Sequence, residues 1–204
     1  MVLSISIIQK NEYTTLPWKN GKGKTEEIAI HPAGSSMLEN NFLWRLSTAW
    51  VLESGSFSSF PAYDRYLAVV EGGGLRLESD GKQIYPSVGG VFKFSGDMKV
   101  ECQLMDGRIK DLNLMVKQDQ VQSRFFLQND QLSNVLSVSG SVNFIFCLKG
   151  AVQIIFDVSQ SDYILHEHET LRIDLEGAEK VNLRIKSMTS QYSLAVIELS
   201  PIPS

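Results

Sequence analysis

Gly23-Lys24-Thr25 has the residue types that close a nucleotide-binding P-loop, in which glycine backbone N–H groups curl around phosphate. The spacing excludes that chemistry. The position five residues before Gly23 is Trp18, and Pro32 stops any following helix before two turns, so no helix N-terminus faces an anion. His166-Glu167-His168-Glu169 offers imidazoles and carboxylates, but without a further ligand close by it is weak as a zinc set and reads instead as a stretch of half-exposed strand. His31, followed by Pro32, has the character of a strand end, and no histidine stands in a recognisable nucleophile–base arrangement. The chemistry these residues do supply is anion recognition. Arg45 with Ser47 on one apolar run, and Asp111 with Asn113 and Met115 on another, bring a guanidinium near polar partners.

The elements that must position them are strands. Runs such as FLWRLSTAWV, RYLAVV, LRLE, VFKF, LNLMV, NFIFCL, VQIIF, LRIDL and SLAVIEL are short and rich in β-branched or aromatic residues. They recur about every ten residues between turn signals, the pattern of an all-β sandwich or barrel. EGGGL and SDGK supply turns, and PSVGG and EGAEK punctuate later runs. A repeat also runs through the chain. Tyr66 to Gly72 aligns with Phe144 to Gly150, GGVFKFSGD with HETLRIDLEG, and DLNLMVK with SLAVIEL, an offset of about 78 residues that points to one duplicated β unit. The expected organisation is a first unit over 1–118 and a second over 119–204, closely packed and sharing edges or strands.

Alternation assigns faces. In FLWRLSTAWV, Trp44, Leu46, Thr48 and Trp50 share one side, with Arg45, Ser47, Ala49 and Val51 on the other. The second side, one cation among small residues, suits the wall of a concavity. Asp111, Asn113 and Met115 likewise oppose Leu112, Leu114 and Val116. If the two polar sides face one cavity, Arg45 can take a carboxylate through parallel hydrogen bonds; alternatively Arg45 and Asp111 neutralise each other as a buried pair that holds strand register. Asp64 and Arg65 are strand neighbours and point oppositely, one toward Arg45 and the other to a salt bridge at the rim. Thr25 and Asn20 are candidates to close one end, although Asn20-Gly21 also reads as a turn.

Composition narrows the partners. With 19 Lys and Arg against 23 Asp and Glu, net charge −4, and no dense basic cluster, neither nucleic acid nor an anionic membrane surface is expected. MVLSISIIQK lacks the basic start and long apolar run of a signal peptide, and no stretch of about 18 apolar residues occurs, so a cytoplasmic location is expected. Cys102 and Cys147 lie in apolar runs and read as free buried thiols.

Taken together, PWKNGKGKTEEIAIHP, FLWRLSTAWVLESGSFSSFPAYDRYLAVVEG, FKFSGD and DLNLMV resemble the HutD/Ves family, across roughly residues 16–117. The family-type positions are Trp18, Asn20, Gly21, Gly23 and Thr25, then Arg45, Ser47, Phe57, Ser58, Phe60, Asp64 and Arg65, and finally Phe94, Gly96, Asp97, Asp111, Asn113 and Met115. Ala62 departs from the family's glycine after Phe-Pro. The resemblance implies a bicupin, two antiparallel cupin-type β-barrels or jelly rolls in one chain, associated with bacterial histidine utilisation. Cupins commonly hold a metal with two histidines and a glutamate ahead of a glycine. Counting back from Gly72 puts Arg65 at the glutamate position and Ser59 and Pro61, or Ser58 and Phe60, at the histidines; counting from Gly150 gives Asn143, Ser137 and Ser139. No metal and no cofactor are therefore expected. The implied function is binding of a small carboxylated metabolite such as formylglutamate or urocanate, in a regulatory or buffering role. The alternatives are a cofactor-independent isomerase or hydrolase using Asp64 or Asp111 as acid or base, and an interaction module that forms a homodimer through Phe125-Phe126 or an edge strand.

Overall fold

The computed structural model describes residues 2–18, 23–85, 90–157, 159–176 and 180–203. Asn20 and Gly21, and most of PSVGG and EGAEK, lie outside the described residues. In chain order the strands are β1 (Val2–Ile8), β2 (Thr14–Pro17), β3 (Lys24–His31), β4 (Trp44–Val51), β5 (Gly55–Ser56), β6 (Tyr63–Gly72), β7 (Leu75–Ser79), β8 (Lys82–Ile84), β9 (Val91–Ser95) and β10 (Glu101–Leu104). They continue as β11 (Ile109–Lys117), β12 (Val121–Asn129), β13 (Val135–Val138), β14 (Val142–Lys149), β15 (Ala151–Phe156), β16 (Asp162–His166), β17 (Thr170–Leu175), β18 (Val181–Ser187) and β19 (Ser193–Pro201). One short 3-10 turn, Lys10–Glu12, is the helical element among the described residues. No helix among them is long and apolar enough to cross a membrane.

The chain divides into two compact units, Tyr13–Val121, and Met1–Glu12 with Gln122–Ser204. The start of the chain departs from the expected 1–118 boundary because β1 is not part of the first unit. Its backbone pairs antiparallel with β17, from Val2 opposite Leu175 to Ile8 opposite Thr170. Ladder hydrogen bonds along six or seven residues outweigh sequence proximity to β2 in deciding where the strand belongs.

The unit over 13–121 has a six-stranded sheet in the order β2-β3-β4-β11-β6-β9 and a four-stranded sheet in the order β5-β10-β7-β8. Leu67, Val69, Phe94 and Ile109 from the first pack with Leu75, Leu77 and Cys102 from the second, burying the apolar core between facing sheets. The other unit pairs β1-β17-β14-β19-β12 with β13-β18-β15-β16 over a larger apolar core, with Ile145, Phe156, Leu171, Leu183 and Val196 among its members. Each unit is thus a two-sheet jelly-roll sandwich rather than a closed barrel.

The sheet orders bear out the duplication. The series β9-β6-β11-β4 in one unit has the order of β17-β14-β19-β12 in the other, and β5-β10-β7-β8 has the order of β13-β18-β15-β16. Gly72 and Gly150, the aligned glycines, both have positive φ, 102° and 79°, as the turn after each central strand requires. The ladders shift the sequence match by one residue beyond this point. Leu67 faces Asn113 on β11, whereas its counterpart Ile145 faces Val196 on β19, so Asn113 corresponds to Val196 and Asp111 to Leu194. The bulge itself is shared: β6 skips Val70 between Val69 and Glu71, and β14 skips its counterpart Leu148 between Cys147 and Lys149.

Candidate functional site

Period-two alternation on β4 and β11 turns Arg45, Ser47 and Ala49, and Asp111, Asn113 and Met115, to the inner face of the six-stranded sheet. The register then builds rows. Arg45 faces Met115, which faces Arg65 on β6; Glu27 on β3 faces Ser47, which faces Asn113; Thr25 faces Ala49, which faces Asp111. Arg45 and Arg65 therefore stand two strands apart on one row, roughly 10 Å between backbones at ordinary strand spacing. All these residues line a cavity of about 1060 Å³, while Leu67 opposite Asn113 and Val69 opposite Asp111 continue the rows into the core. Trp18, Met37, Leu38, Glu53, Phe57 and Phe60 complete its wall and mouth.

Arg45, 4% exposed, donates from Nε to Glu27 Oε2 at 2.6 Å and from Nη1 to Ser47 Oγ at 3.2 Å. Its buried Nη2 has no hydrogen-bond partner among the described residues. Its ion-pair partner is thus Glu27 and not the Asp111 of the buried-pair alternative; Glu27 shares the inner face of β3 with Thr25, a placement that the same alternation gives. Arg65 donates from Nη1 to the Ser58 carbonyl at 3.0 Å and lies against the rings of Phe57 and Phe94, 4.9 and 5.1 Å from their centroids. Its buried Nε also has no partner among the described residues. Burial lowers the Arg65 pKa to about 10, with Asp111 opposing and Arg45 adding to the shift, so it stays charged at neutral pH.

Asp111 is 4% exposed. Its Oδ1 accepts the Ala49 N–H at 3.0 Å, and its own carbonyl accepts the Thr48 hydroxyl. Burial pushes its carboxyl up to about 7, against the pull of the Ala49 N–H, Arg65 and Arg45. Cys102, also on the lining, is a free thiol pushed up to about 11, chiefly by burial, and so is neutral. Trp18 is held by its Nε1 donating to Thr25 Oγ1 at 2.9 Å and by its backbone N–H to the Gly23 carbonyl. A Cβ at Gly23 would lie 2.9 Å from the Trp18 ring. This is the physical content of the Gly-Lys-Thr stretch: glycine lets an indole fold back and form cavity wall.

Asp64 is not part of the lining. It points to the other face of β6, pairs with Lys93 at 2.6 Å and accepts from Gln118 at 3.0 Å. Of the two neighbours it is Arg65 that enters this cavity, and Asp64 lies outside its lining.

A family model described as HutD matches residues 10–190. The chain belongs to the HutD family. The match extends well past residue 117, where the legible family-type residues end. An uncharacterized 21.2 kDa protein in the hutC 3′ region of Pseudomonas putida is 36% identical over 151 residues, 74% of this chain and 77% of that protein. A conserved protein of unknown function from Pseudomonas aeruginosa PAO1 superposes with a TM-score of 0.84 at 31% identity, covering 98% of this chain and 100% of that one. HutD from Pseudomonas fluorescens SBW25, solved in a formate condition, superposes with a TM-score of 0.79 at 29% identity, over 98% and 100%. A cupin 2 conserved barrel domain protein from Leptotrichia buccalis, 10% identical with a TM-score of 0.58 over 97% of each chain, shares the fold alone.

Among the other HutD-type positions, Gly96 shapes the rim. Gly96 N–H donates to the Tyr63 carbonyl at 2.7 Å and its carbonyl accepts the Phe60 N–H at 2.9 Å; a Cβ there would lie 2.1 Å from the Phe60 oxygen. That close approach fixes the loop carrying Phe57, Ser58 and Phe60. The cupin metal positions do not fit a transition metal here, since Arg65 is itself a buried cation tied to Ser58, and Asn143 bonds Gly140 and Ile173 through its amide. In the other unit the cavity rows are filled by Leu194 and Val196 in the apolar core. In His166-Glu-His-Glu169 the carboxylates serve the backbone: Glu169 accepts the His166 N–H at 2.8 Å and Glu167 the Gly150 N–H at 3.0 Å. His168 stands beside the Phe146 ring at a positive φ of 69°.

Proposed function

We propose that the cavity of the 13–121 unit binds a small carboxylated metabolite, and that the protein reports or buffers an intermediate of histidine breakdown, with formylglutamate and urocanate the first compounds to test. Arg65 carries this reading. Its guanidinium lies against phenylalanine rings and its Nη1 is tied to Ser58, which leaves the Nε edge, the edge that meets a carboxylate in two parallel hydrogen bonds. A buried N–H without a partner costs free energy that an incoming oxygen returns. Arg45 adds a second donor, Nη2, across Met115. The aromatic and thioether wall around these donors suits a ligand with an apolar or planar body. The relative in the hutC 3′ region of P. putida supports the link to histidine utilisation.

Isothermal titration of the purified chain with formylglutamate, urocanate and glutamate tests the reading. Saturable binding of at least one, lost in Arg65→Gln, is the expected result; no binding of any, or binding indifferent to both Arg65 and Arg45, overturns it. A second reading, proton transfer by Asp111, is favoured by a buried carboxyl pushed up to about 7 on the wall of the same cavity. NMR of the same mixtures distinguishes the two, since turnover abolished in Asp111→Asn marks an enzyme and an unchanged ligand spectrum a binder.

A further inference from the structure

We infer that Asp111 is the specificity-determining group of this site: it takes a proton from solvent when an anion binds, and donates that proton to the ligand as a hydrogen bond. The inference rests on the carboxylate-binding reading and adds to it the protonation state of the complex.

The charges that face Asp111 come from four elements. Arg45 stands on β4, Arg65 on β6, Glu27 on β3, and the neutral Cys102 thiol on β10; Glu53 lies exposed at the mouth, where water screens it. On β11 itself the inward neighbours, Asn113 and Met115, do not titrate. Within the buried set the two guanidiniums balance the two carboxylates, and the cluster is neutral. Lodging a ligand carboxylate on Arg65 and Arg45 adds one uncompensated negative charge where solvent cannot screen it, at high cost in a low-dielectric site. One proton restores the balance. Glu27 is the poorer acceptor of that proton, because its Oε2 already receives the Arg45 Nε–H at 2.6 Å. Asp111 holds the N–H groups of Ala49 and of its own backbone and the field of both arginines, the field that the ligand would take over, and it has no direct ion pair like that of Glu27. Two carboxyl groups that share a pair of cations cannot both stay ionised at close range, so the deeper one protonates. A protonated Asp111 then donates to a ligand oxygen, which selects ligands presenting an acceptor next to their carboxylate and disfavours those presenting a second ammonium or amide N–H there.

The test is titration calorimetry of the full chain with whichever of formylglutamate, urocanate or glutamate binds, in buffers of different ionisation enthalpy at pH 5.5 and pH 8. Proton uptake near zero at pH 5.5 and approaching one per ligand at pH 8 is expected, with affinity falling about tenfold per pH unit above about 7. In Asp111→Asn, uptake at pH 8 should vanish and binding become independent of pH. Difference infrared spectra of the unaltered protein at pH 8 supply a check that needs no variant: a new carboxylic-acid carbonyl band should appear on ligand addition. Binding without linked proton uptake, uptake that persists in Asp111→Asn, or no such band overturns the inference while leaving carboxylate binding intact; absence of binding by all three compounds instead removes the reading beneath it.

Discussion

Arg45 Nε and Glu27 Oε2 lie 2.6 Å apart on the inner face of the six-stranded sheet, with their side chains 4% and 15% exposed. This is a pair in which each charge justifies the other's burial, and removing one strands its partner. Glu27→Ala should therefore destabilise the 13–121 unit by roughly 2–5 kcal/mol, read from urea unfolding. Glu27→Gln keeps an acceptor while freeing the guanidinium's charge, and should cost less stability and tighten carboxylate binding; weaker binding in that variant would count against Arg45 as part of the site.

Arg65 has a different task, and substitution separates charge from geometry. Lys keeps the positive charge but has neither the planar fork nor a flat face to lie between Phe57 and Phe94. Arg65→Lys should weaken carboxylate binding by about 2–3 kcal/mol, some 30- to 150-fold by titration calorimetry. Retention of full affinity would show that a point charge suffices.

The buried carboxyl of Asp111 links stability to pH. Its pKa is raised from 3.8 to about 7 on folding, so between those values the folded chain holds a proton that the unfolded chain has lost. Stability from this group is fully present below about pH 4, declines as pH rises, and levels off above about pH 7, a change on the order of 4 kcal/mol. Urea midpoints of the ligand-free protein measured from pH 4 to 8 should fall over that window relative to those of Asp111→Asn. Parallel profiles would mean that Asp111 titrates as an ordinary carboxylate.

Ala62 occupies the left-handed region at φ 67°, where the HutD-type pattern carries glycine. The methyl strains that conformation by about 1–2 kcal/mol, while glycine returns part of the gain through a freer unfolded chain. Ala62→Gly should raise stability by up to about 1 kcal/mol, visible as an increase in Tm of a few degrees. The Ala62 carbonyl accepts the Gln118 N–H at 3.0 Å, and that contact should survive.

Gly23→Ala tests the wall of the cavity. The added methyl meets the Trp18 ring at 2.9 Å, so the indole must swing and strain or break its bond to Thr25. Tryptophan emission should change and ligand affinity drop several-fold, with global stability altered by less than about 1 kcal/mol at this partly exposed site. An unchanged spectrum would place the indole elsewhere in solution.

Much of this architecture is legible in the sequence, because it follows from local rules. The all-β character comes from short β-branched runs between turn residues, and the duplication from two aligned aromatic-to-glycine segments whose sheets share one strand order. Alternation alone puts Arg45 and Ser47, and Asp111, Asn113 and Met115, on single faces of β4 and β11, and states that Asp64 and Arg65 must point apart. Parity, however, says nothing about which strand lies alongside. Only the ladder β3-β4-β11-β6 brings Glu27 to Arg45 and puts Arg65 across Met115 from it, and only that register decides that Arg65 rather than Asp64 turns inward. The one-residue offset between the sequence match of β11 with β19 and their match in the ladders depends on pairing across strands and leaves no mark on spacing within either. The transfer of β1 to the other unit has the same cause: backbone hydrogen bonds are blind to side-chain identity, so which strands pair is settled by how the whole chain packs.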